Sequence, residues 1–202
     1  MPVARNALFA GLCLVLITSL TVSCADPSSP DETDMEAIPS VARVSELPPM
    51  EADKEAYQTE PFRAAGVEVY MVHDGDILQV LATVAASGWV SVGFNERGSG
   101  MDGANLILGT VTDGTPLVRN DLGRGHTHSE AANRGIMDSE VVLQEGRVSL
   151  EFRYPLVFPA GFRLTELESN TVYSLLVAYH AESSDLNSMH SERGVLDFRI
   201  DP

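Results

Sequence analysis

A methionine and a histidine stand side by side in the polar segment DLNSMHSERGVLDF, residues 185–198. Thioether and imidazole groups are the side chains that hold the iron of electron-transfer haems. In an extended segment, however, neighbouring side chains point to opposite faces. Met189 and His190 therefore cannot easily bind one iron, whose axial ligands approach along a single line. If His190 binds iron, we expect the other ligand to come from a different loop.

Met101 is the methionine best placed to be that second ligand. It lies in the glycine-rich loop NERGSGMDGAN, residues 95–105, which is predicted to reach the same end of the fold as His190. The remaining methionines lie in a polar N-terminal stretch (Met35, Met50), inside a predicted strand (Met71) and after a loop with two histidines (Met137). A methionine that fills a gap in the packing is the structural alternative for Met101.

Two other chemistries are considered for the polar loops. His126, His128 and Glu130 could supply ligands for zinc or copper, but an exposed polar loop explains the same residues. Ser183 and Asp185 lie near histidines, yet the chain has no GxSxG motif that would support nucleophilic catalysis. We therefore expect a protein that is not an enzyme.

The elements that carry these loops are short apolar segments with a period of two, separated by turn signals. In WVSVGF, residues 89–94, Val90, Val92 and Phe94 share one face and Trp89 lies on the other. Asp-Gly pairs at 74–75 and 113–114 and the EGR turn at 145–147 predict hairpins. Only residues 164–170 could form one or two helical turns. This pattern predicts an all-β protein, an antiparallel β-sandwich of the immunoglobulin-like type.

The N-terminal region predicts export and attachment to a membrane. Residues 1–23 are expected to be a signal peptide, because the apolar run is too short to span a bilayer. LTVSC, ending at Cys24, is similar to a bacterial lipobox and predicts lipidation of Cys24; SCA, residues 23–25, is an alternative site for ordinary signal peptidase. Residues 24–61 are rich in proline, serine and acid and predict a disordered tether. Residues 62–202 are expected to form the folded domain.

Composition limits the partners and the compartment. The formal net charge of −16 becomes −17 when residues 1–23, whose only charge is Arg5, are removed. Such an acidic chain is not expected to bind nucleic acid or an anionic membrane surface, so any membrane contact would be through the lipid. One remaining cysteine permits no internal disulfide. We expect a monomeric extracytoplasmic lipoprotein in the periplasm or at the cell surface, and Ala25 after the cysteine favours the outer membrane.

The order of these motifs resembles the DOMON domain family, in particular its cytochrome-like members. GWVSVGFNERGSGMDGANLILGTVTDG, residues 88–114, is similar to the family's first signature; RNDLGRG, LEFRYPL and the C-terminal LLVAYHAESSDLNSMHSERGVLDFRI are similar to the later ones. The resemblance covers nearly all of residues 62–202. Asn105 stands where many members have an acid.

The resemblance implies a β-sandwich that holds haem b non-covalently at one end and works as a one-electron carrier. The family's axial ligands match Met101 and His190, and Arg193 would either hold a haem propionate or fix its loop. The absence of CxxCH excludes covalent attachment. The redox partner protein is unknown. Haem-free relatives imply an alternative, a lipoprotein that binds a sugar or another small ligand.

Overall fold

The computed structural model describes residues 38–132, 135–162 and 164–202. Its elements are β1 (Ser40–Arg43), a short 3₁₀ helix (Lys54–Tyr57), β2 (Phe62–Ala64), β3 (Val67–His73), β4 (Ile77–Val84), β5 (Val90–Glu96), β6 (Asn105–Thr112), β7 (Thr115–Arg124), β8 (Thr127–Glu130), β9 (Asp138–Gln144), β10 (Arg147–Pro155), β11 (Val172–Tyr179) and β12 (Glu192–Ile200). The predicted all-β class is confirmed.

The strands form a sandwich whose two halves are joined by β1. One half has the order β8-β7-β6-β5-β11-β12, and the other has β3-β4-β10-β9 with β2 on β3. β1 lies between β12 and β3 and is parallel to both, whereas the pairings between the other named strands are antiparallel. A four-residue strand thus links the two sheets.

The alternation of side chains along β5 places the core. Val90, Val92 and Phe94 are fully buried between the sheets, while Trp89 packs in a separate cluster on the outer face of the first sheet. Phe94 contacts the rings of Tyr154 and Phe198, with centroids 5.0 and 5.9 Å away. The two faces predicted for this strand are therefore confirmed.

The N-terminal segment 38–61 belongs to the folded domain, which corrects the predicted tether. Val41 is fully buried between β3 and β12, and Tyr57 is 3% exposed. The segment covers the outer face of the second sheet, where Tyr57 contacts Tyr70 at 6.0 Å between ring centroids. The composition of residues 24–61 suggested a chain without a core, but residues 40–43 add a strand between β3 and β12, and the residues that follow pack on the outer face of the second sheet.

A buried carboxylate fixes the N-terminal segment to that sheet. Glu151 of β10 is fully buried and accepts hydrogen bonds from the Ala52 amide at 2.7 Å, the Tyr57 hydroxyl at 2.7 Å and the Gln79 side chain at 2.8 Å. Burial and then the charge of Glu151 raise the pKa of Tyr57, so its hydroxyl remains a donor. We call this group the Glu151 clamp.

Residues 164–170, predicted to form at most one or two helical turns, contain no helical turn, and a bridge joins Ser169 to Ile200. Within the described residues no helix has the length and hydropathy to cross a bilayer. The predicted signal peptide, 1–23, and the predicted lipidation at Cys24 lie outside the described residues.

Candidate functional site

An apolar cluster covers the outer face of the first sheet, and the two predicted ligand loops both lie beside it. We call this cluster the outer patch; it consists of Trp89, Ala104, Leu106, Leu108 and Leu186, with Met101, Leu176 and Ala178 packed against them. It is separate from the main core, which lies between the sheets. Its five central members are 0–6% exposed, so the sheet and the two loops together shield the cluster from water.

Met101 reaches the outer patch from the loop between β5 and β6, residues 97–104, which we call the methionine loop. Its backbone lies directly on Gly123 of β7, where any side chain would collide with the Met101 carbonyl oxygen. The Gly125 amide donates to the Asp102 carboxylate at 2.7 Å. The position of this loop therefore depends on a glycine in the neighbouring strand and on a turn beyond it.

Asn95, at the end of β5, also holds the methionine loop. Its side-chain amide donates to the carbonyl oxygens of Gly100 at 2.8 Å and Asp102 at 2.9 Å, the two residues that flank Met101. Its side-chain oxygen accepts from the Glu96 amide at 2.9 Å. Asn95 is 6% exposed, so these bonds are shielded from water.

His190 belongs to the segment between β11 and β12, residues 180–191, which we call the histidine loop. Leu186 is buried in the outer patch, and the Trp89 indole donates to the Ser188 hydroxyl at 3.0 Å. At the end of the loop, the Ser191 amide donates to the Tyr179 carbonyl at 2.7 Å. His190 lies between these two attachments and is half-buried.

The two loops leave opposite ends of their strands, which corrects the expectation that they share one end of the sandwich. β5 and β11 are antiparallel neighbours, with Glu96 opposite Tyr173 and Val90 opposite Tyr179. The methionine loop follows Glu96, whereas the histidine loop follows Tyr179. The direction of neighbouring strands could not be read from the sequence. Both loops contribute to the outer patch, with Met101 and Ala104 from one loop and Leu186 from the other.

A buried ion-pair network connects the histidine loop to β7 and β8. Asp121 is fully buried and accepts two hydrogen bonds of 2.7 Å from Arg119 and one of 2.5 Å from Nδ1 of His128. Arg119 also donates to the Asn187 side chain of the histidine loop at 3.2 Å. Burial opposes ionisation of Asp121, but the hydrogen bonds from His128 and Arg119 hold its pKa below the usual range, so the carboxylate is charged.

Small and aliphatic residues form the floor between the loops. The cross-strand register places Val195, Leu176 and Gly93 in one row, and Arg193, Ala178 and Ser91 in the next. Directly opposed residues of antiparallel strands point to the same face. Val195 is 55% exposed and Arg193 is exposed, so the β12 side of this floor is accessible to a ligand.

The chemistry of these groups fits haem b. Met101 packs against the outer patch, and His190 belongs to the loop whose Leu186 is buried in it. The guanidinium of Arg193, in register with Ala178 of the same face, could pair with a propionate. Met189, in contrast, is 83% exposed, and it stays an unsuitable partner for the iron. Haem ligation by Met101 and His190 remains a prediction, as does the role of Arg193.

The other candidate residues have structural surroundings. His128 is bonded to Asp121, His126 and Glu130 are exposed, and the described ranges contain no group of three or more His, Cys, Asp or Glu side chains arranged for a metal ion. Ser183 and Asp185 bond to backbone amides of their own turn. These contacts do not support the zinc, copper or nucleophilic alternatives.

A concave surface lies at the end of the sandwich from which the methionine loop leaves. This cleft has a volume of about 1080 Å³ and is lined by residues that include Phe158, Phe162, Glu96, Asp102 and Glu166. The rings of Phe158 and Phe162 are stacked, with centroids 5.9 Å apart and planes 13° apart. Aromatic rings beside carboxylates are groups that sugars use for stacking and hydrogen bonding.

Sequence reasoning missed Asp121 and Asn95 as members of the site. Both belong to outward-facing positions of strands, where a polar residue ordinarily meets water. The sequence signal for Asp121 was the spacing of Arg119 and Asp121, because side chains at i and i+2 of a strand lie on the same face and can form an ion pair. Asn95 could not be recognised without the path of the loop that it bonds.

Comparisons with known proteins give no family assignment. No family model and no curated protein matches the chain. Among solved structures it is similar to the cytochrome b domain of pyranose dehydrogenase from Coprinopsis cinerea (15% identity, TM-score 0.49, 65% of this chain and 74% of that one) and to the cytochrome domain of Myriococcum thermophilum cellobiose dehydrogenase (17%, 0.47, 67% and 74%). It is also similar to a family 9 carbohydrate-binding module from Caldicellulosiruptor kristjanssonii, in complex with cellotriose (12%, 0.47, 81% and 93%). Similarity at this level does not decide between a haem and a sugar.

Proposed function

We propose that the protein is an extracytoplasmic haem-b-binding electron-transfer domain of the DOMON type, with Met101 and His190 as axial ligands. The observation that carries this proposal is the folding of both loops onto the outer patch of one sheet. The sequence resemblance to cytochrome-like DOMON domains supports the same two residues. Haem b would supply a single iron that gains and loses one electron.

The side chains of this chain have distinct tasks in that function. His190 would offer a neutral ring nitrogen to the metal, and Met101 would offer a soft, uncharged sulfur that favours the ferrous state. Arg193 would pair with a propionate at the exposed β12 edge. Leu176, Ala178 and Val195 would cover the apolar porphyrin face and keep water from it. Because both axial positions would be filled by protein, we expect electron transfer and not oxygen chemistry or other catalysis.

Absorption spectroscopy of the exported protein expressed with added haem tests the proposal. We expect a six-coordinate low-spin spectrum that is lost in Met101→Ala and in His190→Ala. Met189→Ala and His126→Ala are matched controls, since both side chains are exposed and neither is assigned to the iron. A colourless wild-type protein, or a spectrum equally unchanged in all four variants, would refute haem ligation by this pair.

A second candidate function, binding of a sugar or another small neutral ligand without haem, is favoured by the cleft beside Phe158 and Phe162. Phe162 is half-buried and could present part of its ring to a sugar. Calorimetric titration with cello-oligosaccharides would support this function if binding occurs and is lost in Phe162→Ala. Unchanged binding in that variant would exclude the cleft as the sugar site.

We also propose that the chain is exported and anchored through a lipid on Cys24, and that it is monomeric. The lipobox-like LTVSC and the acidic composition support these points. Mass spectrometry of the mature N-terminus would distinguish diacylated Cys24 from a chain cut after residue 25. A redox partner would meet it in the same compartment.

A further inference from the structure

Asn95 occupies an unusual position for a buried polar side chain, because both of its N–H donors bond one loop. Its amide group donates to the carbonyl oxygens of Gly100 and Asp102, one on each side of Met101. Its oxygen accepts from the amide of Glu96, the last residue of β5. An asparagine side chain with these partners uses both of its N–H donors and one side of its acceptor.

The methionine loop is rich in glycine and is attached to both neighbouring strands, β5 and β7. The loop contains Gly98, Gly100 and Gly103, all with positive φ, so its backbone has little conformational preference of its own. The Ala104 amide donates to the Met101 carbonyl at 3.0 Å, which closes a turn, and the Gly103 amide and the Ala104 carbonyl pair with Gly123 of β7 at 3.1 and 2.8 Å. Asn95 provides the attachment from β5, and Gly123 leaves the space on β7.

We propose that Asn95 is a positioning residue that holds Met101 over the outer patch in the haem-free protein. This inference rests on the proposed function, and it adds that the methionine side of the site is formed before haem arrives. A ligand that is already in place loses less conformational entropy when it binds. The histidine loop is held by different contacts, those of Trp89 and Arg119.

The substitution Asn95→Asp gives a sharp test, because aspartate has nearly the same shape and cannot donate either hydrogen bond. A carboxylate oxygen would face two carbonyl oxygens that lose their donor. In the full chain without haem, we expect amide hydrogen exchange in residues 98–104 to become at least about tenfold faster. Exchange in residues 181–191 should stay unchanged, because Asn95 does not hold that loop.

Asn105→Asp is the matched control. Asn105 is fully buried on the next strand and donates to the Tyr154 hydroxyl at 3.0 Å, so the same substitution there disturbs the core and not the methionine loop. We expect Asn105→Asp to lower thermal stability without a selective increase in the rate of amide hydrogen exchange in residues 98–104. If Asn95→Asp fails to fold, Asn95→Ala removes both donors without adding a charge and serves the same comparison.

The haem-loaded protein gives a second readout. Carbon monoxide binds ferrous haem at an open axial position, so the reduced wild type should bind it poorly and Met101→Ala should bind it readily. We expect Asn95→Asp to bind carbon monoxide like Met101→Ala while His190 ligation is retained.

The outcomes for the two proposals are separate. Unchanged exchange in residues 98–104, or faster exchange that is equal in both loops, would overturn the role of Asn95. A wild-type protein that takes up no haem would refute the proposed function, while the exchange measurement on the haem-free chain would still judge Asn95.

Discussion

The Glu151 clamp predicts that a single hydroxyl on the N-terminal segment stabilises the whole domain. In Tyr57→Phe the ring keeps its place against Tyr70, but the carboxylate of Glu151 loses one of three donors, at 2.7 Å. A hydrogen bond to a charged group contributes about 1.5–3 kcal/mol. The expected loss is therefore about 1.5–3 kcal/mol in the free energy of unfolding. For a domain of this size, it lowers the midpoint of thermal unfolding by about 3–12 °C.

Urea denaturation followed by tryptophan fluorescence measures this loss, since Trp89 is the single tryptophan and is buried. Tyr70→Phe is the matched control, because Tyr70 belongs to the same cluster and its hydroxyl is not part of the clamp. We expect the control to change the free energy by less than about 0.5 kcal/mol. Equal small effects in the two variants would refute the view that Glu151 holds the N-terminal segment in place.

Three further predictions concern the domain boundary, the methionine loop and pH. A fragment of residues 38–202 should unfold cooperatively, whereas 62–202 lacks β1 and the clamp and should be insoluble or molten; equal cooperativity would contradict the boundary. Gly123→Ala should lower stability by about 1–3 kcal/mol, because its Cβ would meet the Met101 carbonyl; a stability equal to wild type would show that the loop moves freely. His73 is 1% exposed, and burial followed by the charge of Arg43 lowers its pKa. As the pH falls below about 6.5, the unfolded chain therefore binds a proton at His73 that the folded chain does not. The contribution of neutral His73 to the free energy of unfolding is complete above that pH, and it is lost as the pH falls towards the lower pKa of the folded state. Between pH 7.5 and pH 5.5 the free energy of unfolding should fall more in the wild type than in His73→Gln. Equal decreases in the two proteins would contradict a lowered pKa of His73.

The local turns could be predicted from the sequence because their geometry depends on a few adjacent residues. Asp113-Gly114 and Glu145-Gly146 both adopt positive φ, as a two-residue hairpin between twisted strands requires. The faces of β5 followed from simple alternation. The fold class needed no more than this regular spacing of strands and turns.

β1 could not be predicted, because its stability comes from strands far away in the chain. The sequence SVAR contains one residue that becomes fully buried, Val41, and lies in a region rich in proline and acid. Its partners are Ile200 on one side and the end of β3 on the other. No local pattern reports such pairing.

The candidate site was only partly predictable for a related reason. Met101 could be selected from its glycine-rich loop, and His190 from the chemistry of its side chain and the family resemblance. The routes of the two loops depend on which strands are neighbours and in which direction they run. The buried carboxylate of Asp121 is bonded by both Arg119 and His128, and the sequence does not show that these three polar residues are in contact.

The position of β1 also determines how far this domain could search for a partner. If Cys24 carries a lipid, only about 16 residues separate the membrane surface from Ser40, which is paired between two strands. A chain of that length extends to at most about 55 Å, whereas a free chain up to residue 62 would extend to about 130 Å. The search radius is thereby cut by more than half. Electron exchange would then occur with proteins close to the same membrane surface. A carrier that crosses a wide compartment would need a longer linker.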